Sequence, residues 1–148
     1  MDETHLREGE LGTVVGWCLT GANDDPSQVL RAATLPSIPI DKCIEQSPLT
    51  FRSSITGDKI CAGYSNGTAV CRGDSGGGLV FSAVVKGYLH GYLRGVASTS
   101  PTTQDQCNVH TWAAFTHVLS HEHFIKSIVP DVDSACKPLN VEEFEPSF

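Results

Sequence analysis

The stretch Cys71-Arg72-Gly73-Asp74-Ser75-Gly76-Gly77-Gly78 constrains this 148-residue chain more than any other. Four glycines flank one serine, so the backbone there can bend sharply and a ligand can approach the main chain closely. The apolar run Leu79-Val80-Phe81-Ser82-Ala83-Val84-Val85 follows and reads as a strand. A serine nucleophile needs exposure, a base from elsewhere in the structure, and N–H donors for the oxyanion. A Gly-Asp-Ser-Gly turn ahead of a strand supplies the exposure and the donors, the latter from the N–H groups of Gly73 and Ser75. The competing reading is a glycine-rich hairpin with an incidental serine. Gly73-x-Ser75-x-Gly77 also fits a strand-to-helix nucleophile elbow, but that elbow leads into a helix, and here a strand follows.

Length leaves room for one ordinary domain. The net charge of −7 is unevenly placed. Residues 1–10 carry four acids and one base, residues 131–148 five acids and one base, and residues 11–130 eight of each. The acidity thus belongs to the ends, and no basic patch points to nucleic acid. Six cysteines stand at 18, 43, 61, 71, 107 and 136 without a Cys-x-x-Cys pair. That spacing argues against a metal site and for disulfides in an oxidising compartment. Asn66-Gly67-Thr68 is a glycosylation sequon, in keeping with secretion. The first ten residues lack the basic start of a signal peptide, and no apolar run is long enough to span a membrane. A chain of secreted character without a leader is expected to lack its own beginning.

Read in order, residues 1–10 form a loop. Leu11 to Trp17 is a strand, Gly21 to Ser27 a turn cluster, and Val29 to Leu35 a second strand broken by Pro36 and Pro39. Ile40 to Gln46 suits a short helix, with a polar loop over Ser47–Thr56 behind it. Strands are expected over Asp58–Tyr64, Leu79–Val85, Tyr88–Ser98 and Trp112–Val118, with a turn at Lys86-Gly87 and a polar loop over residues 99–111. Leu119 to Val129 has helical spacing and ends at Pro130. The remaining acidic tail is expected to be mobile.

Gly73-Asp74-Ser75-Gly76-Gly77, with Cys71 ahead of it, resembles the nucleophile segment of the trypsin/chymotrypsin family of serine endopeptidases. Four more segments resemble that family in the right order: Gly16-Trp17, Cys61-Ala62-Gly63-Tyr64, Gly95-Val96-Ala97-Ser98 and Phe115-Thr116-His117-Val118. The resemblance covers roughly residues 9–129. It implies an all-β fold, the second antiparallel Greek-key β-barrel of a chymotrypsin-like pair, with a C-terminal helix and the first barrel missing. The implied organisation is a loop remnant over 1–10, the half-domain over 11–129 and the acidic tail over 130–148. Gly-Gly-Gly after Ser75, where the family usually has Gly-Gly-Pro, resembles modular proteases of immune and complement cascades, an arthropod haemolymph protease among them.

The resemblance assigns roles residue by residue. Ser75 is the acyl-transfer nucleophile, Gly73 and Ser75 the oxyanion donors, and Asp74 the acid that pairs with a new N-terminal ammonium on activation. Without that ammonium, Asp74 is expected to be unpaired. Ala69, Ser98, Ser100 and Ala113 fall at substrate-binding positions. None is charged, so the residue before the scissile bond should be uncharged and apolar. Cys43–Cys61 and Cys71–Cys107 are the implied disulfides, with Cys18 and Cys136 left over. The family's catalytic histidine and aspartate come from the first barrel, and neither segment occurs here. His117, His121 and His123 are expected at the surface. The lone chain is therefore expected to be inactive. Its partners would be a protein substrate or inhibitor and the missing barrel, with no cofactor and no metal. The rival reading is a non-catalytic homologue acting as a binding or regulatory module.

Overall fold

A computed structural model of the chain describes residues 6–17, 27–65, 70, 73–103, 106–107, 111–132 and 139–140, the backbone alone at 103, 106–107 and 139–140. The strands are β1 (Leu11–Gly16), β2 (Arg31–Ile38), β3 (Lys59–Ala62), β4 (Gly78–Val85), β5 (Tyr88–Thr99), β6 (Thr102–Thr103), β7 (Gln106–Cys107), β8 (Ala113–His117) and β9 (Leu139–Asn140). The helices are α1 (Ile40–Gln46), α2 (Leu49–Arg52) and α3 (Glu122–Ile128), the last entered through a 3-10 turn over Val118–His121. Every strand pairing is antiparallel. The order β4-β1-β2-β3-β8-β5, with β4 also paired to β5, closes a six-stranded barrel. The chain runs through β1, β2 and β3 as neighbours, crosses to β4, and returns through β5 and β8, which is the expected Greek key.

Alternation along the strands explains which side is filled. On β1, Gly12, Val14 and Gly16 are buried while Leu11, Thr13 and Val15 are exposed. Val14, Leu35, Ala62, Val70, Leu79, Phe81, Ala97, Ala113 and Phe115 make the barrel core. Leu35, Leu79 and Phe115 are at most 1% exposed, and burying each is worth about 1.5–3 kcal/mol. Bulky residues are fitted against glycines. A Cβ on Gly12 would stand 2.7 Å from the Phe81 ring, and one on Gly95 would stand 2.9 Å from Cβ of Phe115.

The β4–β5 hairpin turns at Lys86 and Gly87, whose φ values of 53° and 82° are both positive. Those are the values a two-residue hairpin needs to match the strand twist. Outside the barrel, Cys43 of α1 is bonded to Cys61 of β3, the first of the two implied disulfides. Around it Phe51, Ile55 and Ala114 form a second core cluster. Helix α1 stops at Ser47, whose ψ of 149° is the extended value imposed by Pro48. Arg52 then donates to the carbonyls of Ser47 at 3.0 Å and Glu45 at 2.6 Å, tying the two helices together.

Five details differ from the sequence expectation. Strand β2 runs through Pro36 instead of ending before it. Its ladder with β3 begins only at Ser37, so the missing proline N–H costs no ladder bond, and the Pro36 carbonyl accepts from Gly63 N–H. The loop expected over 47–56 contains α2, because Phe51 and Ile55 are drawn under the disulfide. The loop over 99–111 contains the small β6–β7 hairpin. In the acidic tail, Leu139 and Asn140 pair with Leu89 and Tyr88 as β9. Finally, His117 is half-buried and not a surface residue.

Strands β3 and β8 are joined through Asp58 to the 3-10 turn that leads into α3. The Asp58 carbonyl accepts the His117 N–H at 2.8 Å. Its carboxylate accepts from Lys59 Nζ at 3.0 Å, from His121 Nε2 at 3.3 Å, and from the Thr56 hydroxyl. The Thr56 hydroxyl, then Lys59 and His121, hold the Asp58 carboxyl well below the usual carboxylate range, against a smaller opposing effect of burial.

Two predictions follow from these contacts. Replacing Cys43 and Cys61 by alanine should destabilise the chain by about 3 kcal/mol, the loop entropy for a separation of 18 residues, read by denaturant unfolding. A depressed carboxylate contributes stability above its unfolded pKa, near 4, and loses it as pH falls toward the folded value. Asp58→Asn should therefore lower the unfolding midpoint above about pH 4 and converge with the parent protein in stronger acid. The effect should be modest, since the side chain is 34% exposed and screened by solvent.

Candidate active site

Ser75 stands exposed on the turn between Val70 and β4. The turn holds its shape because glycine occupies the places that need it. Gly73 has φ 100° and Gly76 φ 86°, values that cost an L side chain about 1–2 kcal/mol. Gly77 N–H donates to the Asp74 carbonyl at 2.9 Å and closes the turn. Gly76 N–H donates to the Ala97 carbonyl at 2.9 Å, and Ala97 N–H to the Gly77 carbonyl at 2.8 Å. The serine is therefore solvent-facing on a backbone tied to β5.

Asp74 points the other way. It is 6% exposed, with Val14, Val15, Val70, Gly77 and Ala97 around it. The expectation that it stays unpaired is corrected, since it is engaged within the fold. One neighbour was given no role beside Asp74 from sequence. Gly16, inward-facing on β1, lies so close that a Cβ there would overlap Asp74 Oδ1. The available signal was a glycine at an inward position of an alternating strand.

Ser98 and Ser100 follow Ala97, so the two bonds made by Ala97 bring them beside the turn. The β5–β8 ladder pairs Ala97 with Phe115 and then Thr99 with Ala114. Ser98 is the extra residue of this bulge, turned to solvent, a placement common next to active sites. Ser100 is half-buried. Ala113 is 5% exposed and belongs to the barrel core. Ala69, Asn66 and Cys71 lie outside the described residues, and of Cys107 only the backbone in β7 is described.

Three of the described histidines have other engagements. His117 Nδ1 lies 3.3 Å from Ser120 Oγ, His121 bonds Asp58, and His90 stacks on Tyr92 with centroids 6.2 Å apart. His123 is exposed on α3. Among the described residues, no group of three or more His, Cys, Asp or Glu is placed to hold a metal ion, and no helix is long and apolar enough to cross a membrane.

A closed antiparallel barrel with this strand order, carrying a Gly-Asp-Ser-Gly turn pinned to Ala97 near the end of β5, has the architecture of a chymotrypsin-like serine protease barrel. The family model described as Trypsin matches residues 2–124, and the chain belongs to that family. It is 33% identical over 122 residues to melanization protease 1 of Drosophila melanogaster, covering 82% of this chain and 29% of that protein. It is 37% identical over 100 residues to clotting factor C of Tachypleus tridentatus, covering 64% of this chain and 9% of that protein. Among solved structures it is similar to neuropsin, a serine protease expressed in the limbic system of mouse brain. The TM-score is 0.66 at 26% identity, over 85% of this chain and 51% of that one. The chain therefore spans well under two thirds of the length of these proteins.

Proposed function

We propose that this chain is the second-barrel part of a longer secreted serine endopeptidase, with Ser75 as its nucleophile. The observation that carries the reading is the turn itself: Ser75 exposed, Asp74 buried, and Gly76 and Gly77, which lead into β4, bonded to Ala97 of β5. In this reading Ser75 Oγ attacks the scissile carbonyl while a histidine from the first barrel takes its proton. The N–H groups of Gly73 and Ser75 receive the negative charge on the carbonyl oxygen. The histidine then protonates the departing amine, and water releases the acyl group from Ser75. Asp74 is the acid that pairs with the ammonium of a newly cleaved N-terminus. Ala69, Ser98, Ser100 and Ala113 shape the substrate side. Their lack of charge favours an uncharged, apolar residue before the scissile bond, and Ser100 narrows the pocket. Cys71–Cys107 is the second disulfide, and Asn66 a glycan site.

The organisation proposed is a loop over 1–10, the half-domain over 11–129 and the acidic tail over 130–148. Its support is an apolar outer face. Thr13 pairs with Val80, and Val80 with Leu93, so Leu11, Val15, Val84, Leu89 and Leu93 share one side of β1, β4 and β5. Leu11 is 55%, Val15 53%, Val84 66% and Leu93 48% exposed. Large apolar side chains exposed together on one side of a sheet mark a place where another body sits. The first barrel is the occupant proposed, and it would bring the histidine and aspartate that the lone chain lacks.

The deciding experiment is to sequence the transcript upstream of Met1 and assay the protein it encodes. The proposal expects a histidine and an aspartate segment upstream, and cleavage after apolar residues in preference to Arg or Lys. Ser75→Ala should then lower kcat on the order of 10⁶-fold. A message that begins at Met1, or a longer protein indifferent to Ser75→Ala, sinks the catalytic reading. The outer face makes a separate prediction. Residues 1–148 expressed alone under oxidising conditions should hydrolyse no peptide and should self-associate in sedimentation. A monomer that unfolds in one sharp transition would count against the half-domain organisation.

A further inference from the structure

Asp74 is held at both ends by positions that cannot carry a side chain. At the carboxylate end is Gly16, the last residue of β1, buried by the strand's alternation. A Cβ there would overlap Asp74 Oδ1 and stand 3.1 Å from Cγ. That carboxylate is itself buried, so it cannot yield cheaply as the end of a flexible surface chain would. At the carbonyl end is Gly77, where a Cβ would stand 2.9 Å from the Asp74 oxygen that accepts the Gly77 N–H. Two glycines from distant parts of the chain thus leave the space in which Asp74 turns inward.

We infer that Gly16 is a positioning residue for the oxyanion turn. By leaving a slot beneath β1 it lets the Asp74 carboxylate turn inward, and the peptide groups on either side of Asp74 are oriented by that turn. Those groups include the N–H of Ser75 and the carbonyl joined to Gly77. A side chain at 16 expels the carboxylate, rotates these peptides and releases the bond from Gly76 N–H to Ala97. The effect passes wholly through Asp74. The inference rests on the reading of Ser75 as nucleophile for its catalytic meaning, but not for its structural content.

Gly12 provides the control. It is also inward-facing on β1, but a Cβ there meets Phe81 and Leu79 and not Asp74. Gly16→Ala and Gly12→Ala, each in the full chain and each with and without Asp74→Ala, are compared by hydrogen–deuterium exchange of peptides spanning residues 73–79 and the β3–β8 ladder. The expected result is exchange at least about tenfold faster at 73–77 in Gly16→Ala, with β3–β8 unchanged. That difference should vanish when Asp74 is also alanine. Gly12→Ala reaches the turn only through Phe81 and β4, so any loosening it causes there should persist when Asp74 is alanine. If Gly16→Ala leaves the turn protected, if its effect persists without the Asp74 carboxylate, or if a Gly12→Ala effect is lost with that carboxylate, the inference is overturned. Should Gly16→Ala fail to fold, the double variant Gly16→Ala/Asp74→Ala decides. Recovery of folded protein supports the slot, and continued failure refutes it. In the longer, active protein Gly16→Ala should lower kcat with KM little moved, a split that loss of folded enzyme alone would not give. Loss of the protease reading would show as indifference to Ser75→Ala and would leave the exchange result standing.

Discussion

Closure of the barrel depends on the contact between Gly12 and Phe81. Strand β4 reaches β1 over only two register pairs, Gly12 with Phe81 and Thr13 with Val80. The Phe81 ring fills the space that a side chain at 12 would take. With Phe81 seated there, β4 is held between β1 and β5, and its first residue, Gly78, is fixed in place. The nucleophile turn ends one residue earlier. Whatever fixes β4 therefore fixes the downstream end of the turn, and the two bonds to Ala97 fix its middle. The large apolar term from burying Phe81, Leu79 and Phe115 thus supports a polar turn that has little apolar surface of its own.

Much of this was legible in the sequence because it was written in local pattern. The alternation of Leu11 to Gly16, the glycine spacing around Ser75, the turn at Lys86-Gly87 and the stop at Pro130 each announce their element. The implied Cys43–Cys61 bridge and the Greek-key barrel came with the resemblance and appear in the structure. What was not legible depends on partners distant in sequence. Nothing local to Ser47–Thr56 says that Phe51 and Ile55 will be pulled under a disulfide. Pro36 reads as a strand breaker until its nitrogen falls where no ladder bond is made. The two-residue strands β6, β7 and β9 are too short to have a period. His117 is expected at the surface, yet Asp58 and Ser120 hold it half-buried.

The nucleophile segment shows the same division on a smaller scale. The chemistry of Ser75, Gly73 and Gly76 can be argued from residue type, because positive φ and exposure are local properties. The environment of Asp74 cannot. Its carboxylate is enclosed by Val14, Val15, Val70, Gly77 and Ala97, and Gly16 adjoins it from a strand that precedes it by most of the barrel.

Strand β1 links these arguments, since its two faces have different tasks. Gly12, Val14 and Gly16 face the core, where they admit Phe81, fill the barrel and leave room for Asp74. Leu11 and Val15 face outward into the apolar side proposed to receive another barrel. A shift of one residue in its pairing with β2 would exchange these faces. Leu11, Thr13 and Val15 would then enter the core, in collision with Phe81 and Asp74, and the outer side would become glycine-rich and nearly featureless. Barrel closure, the slot for Asp74 and the outer apolar side would fail together. The six register pairs between Leu11–Gly16 and Arg31–Pro36 are therefore as much a determinant of the site as the residues of the nucleophile turn.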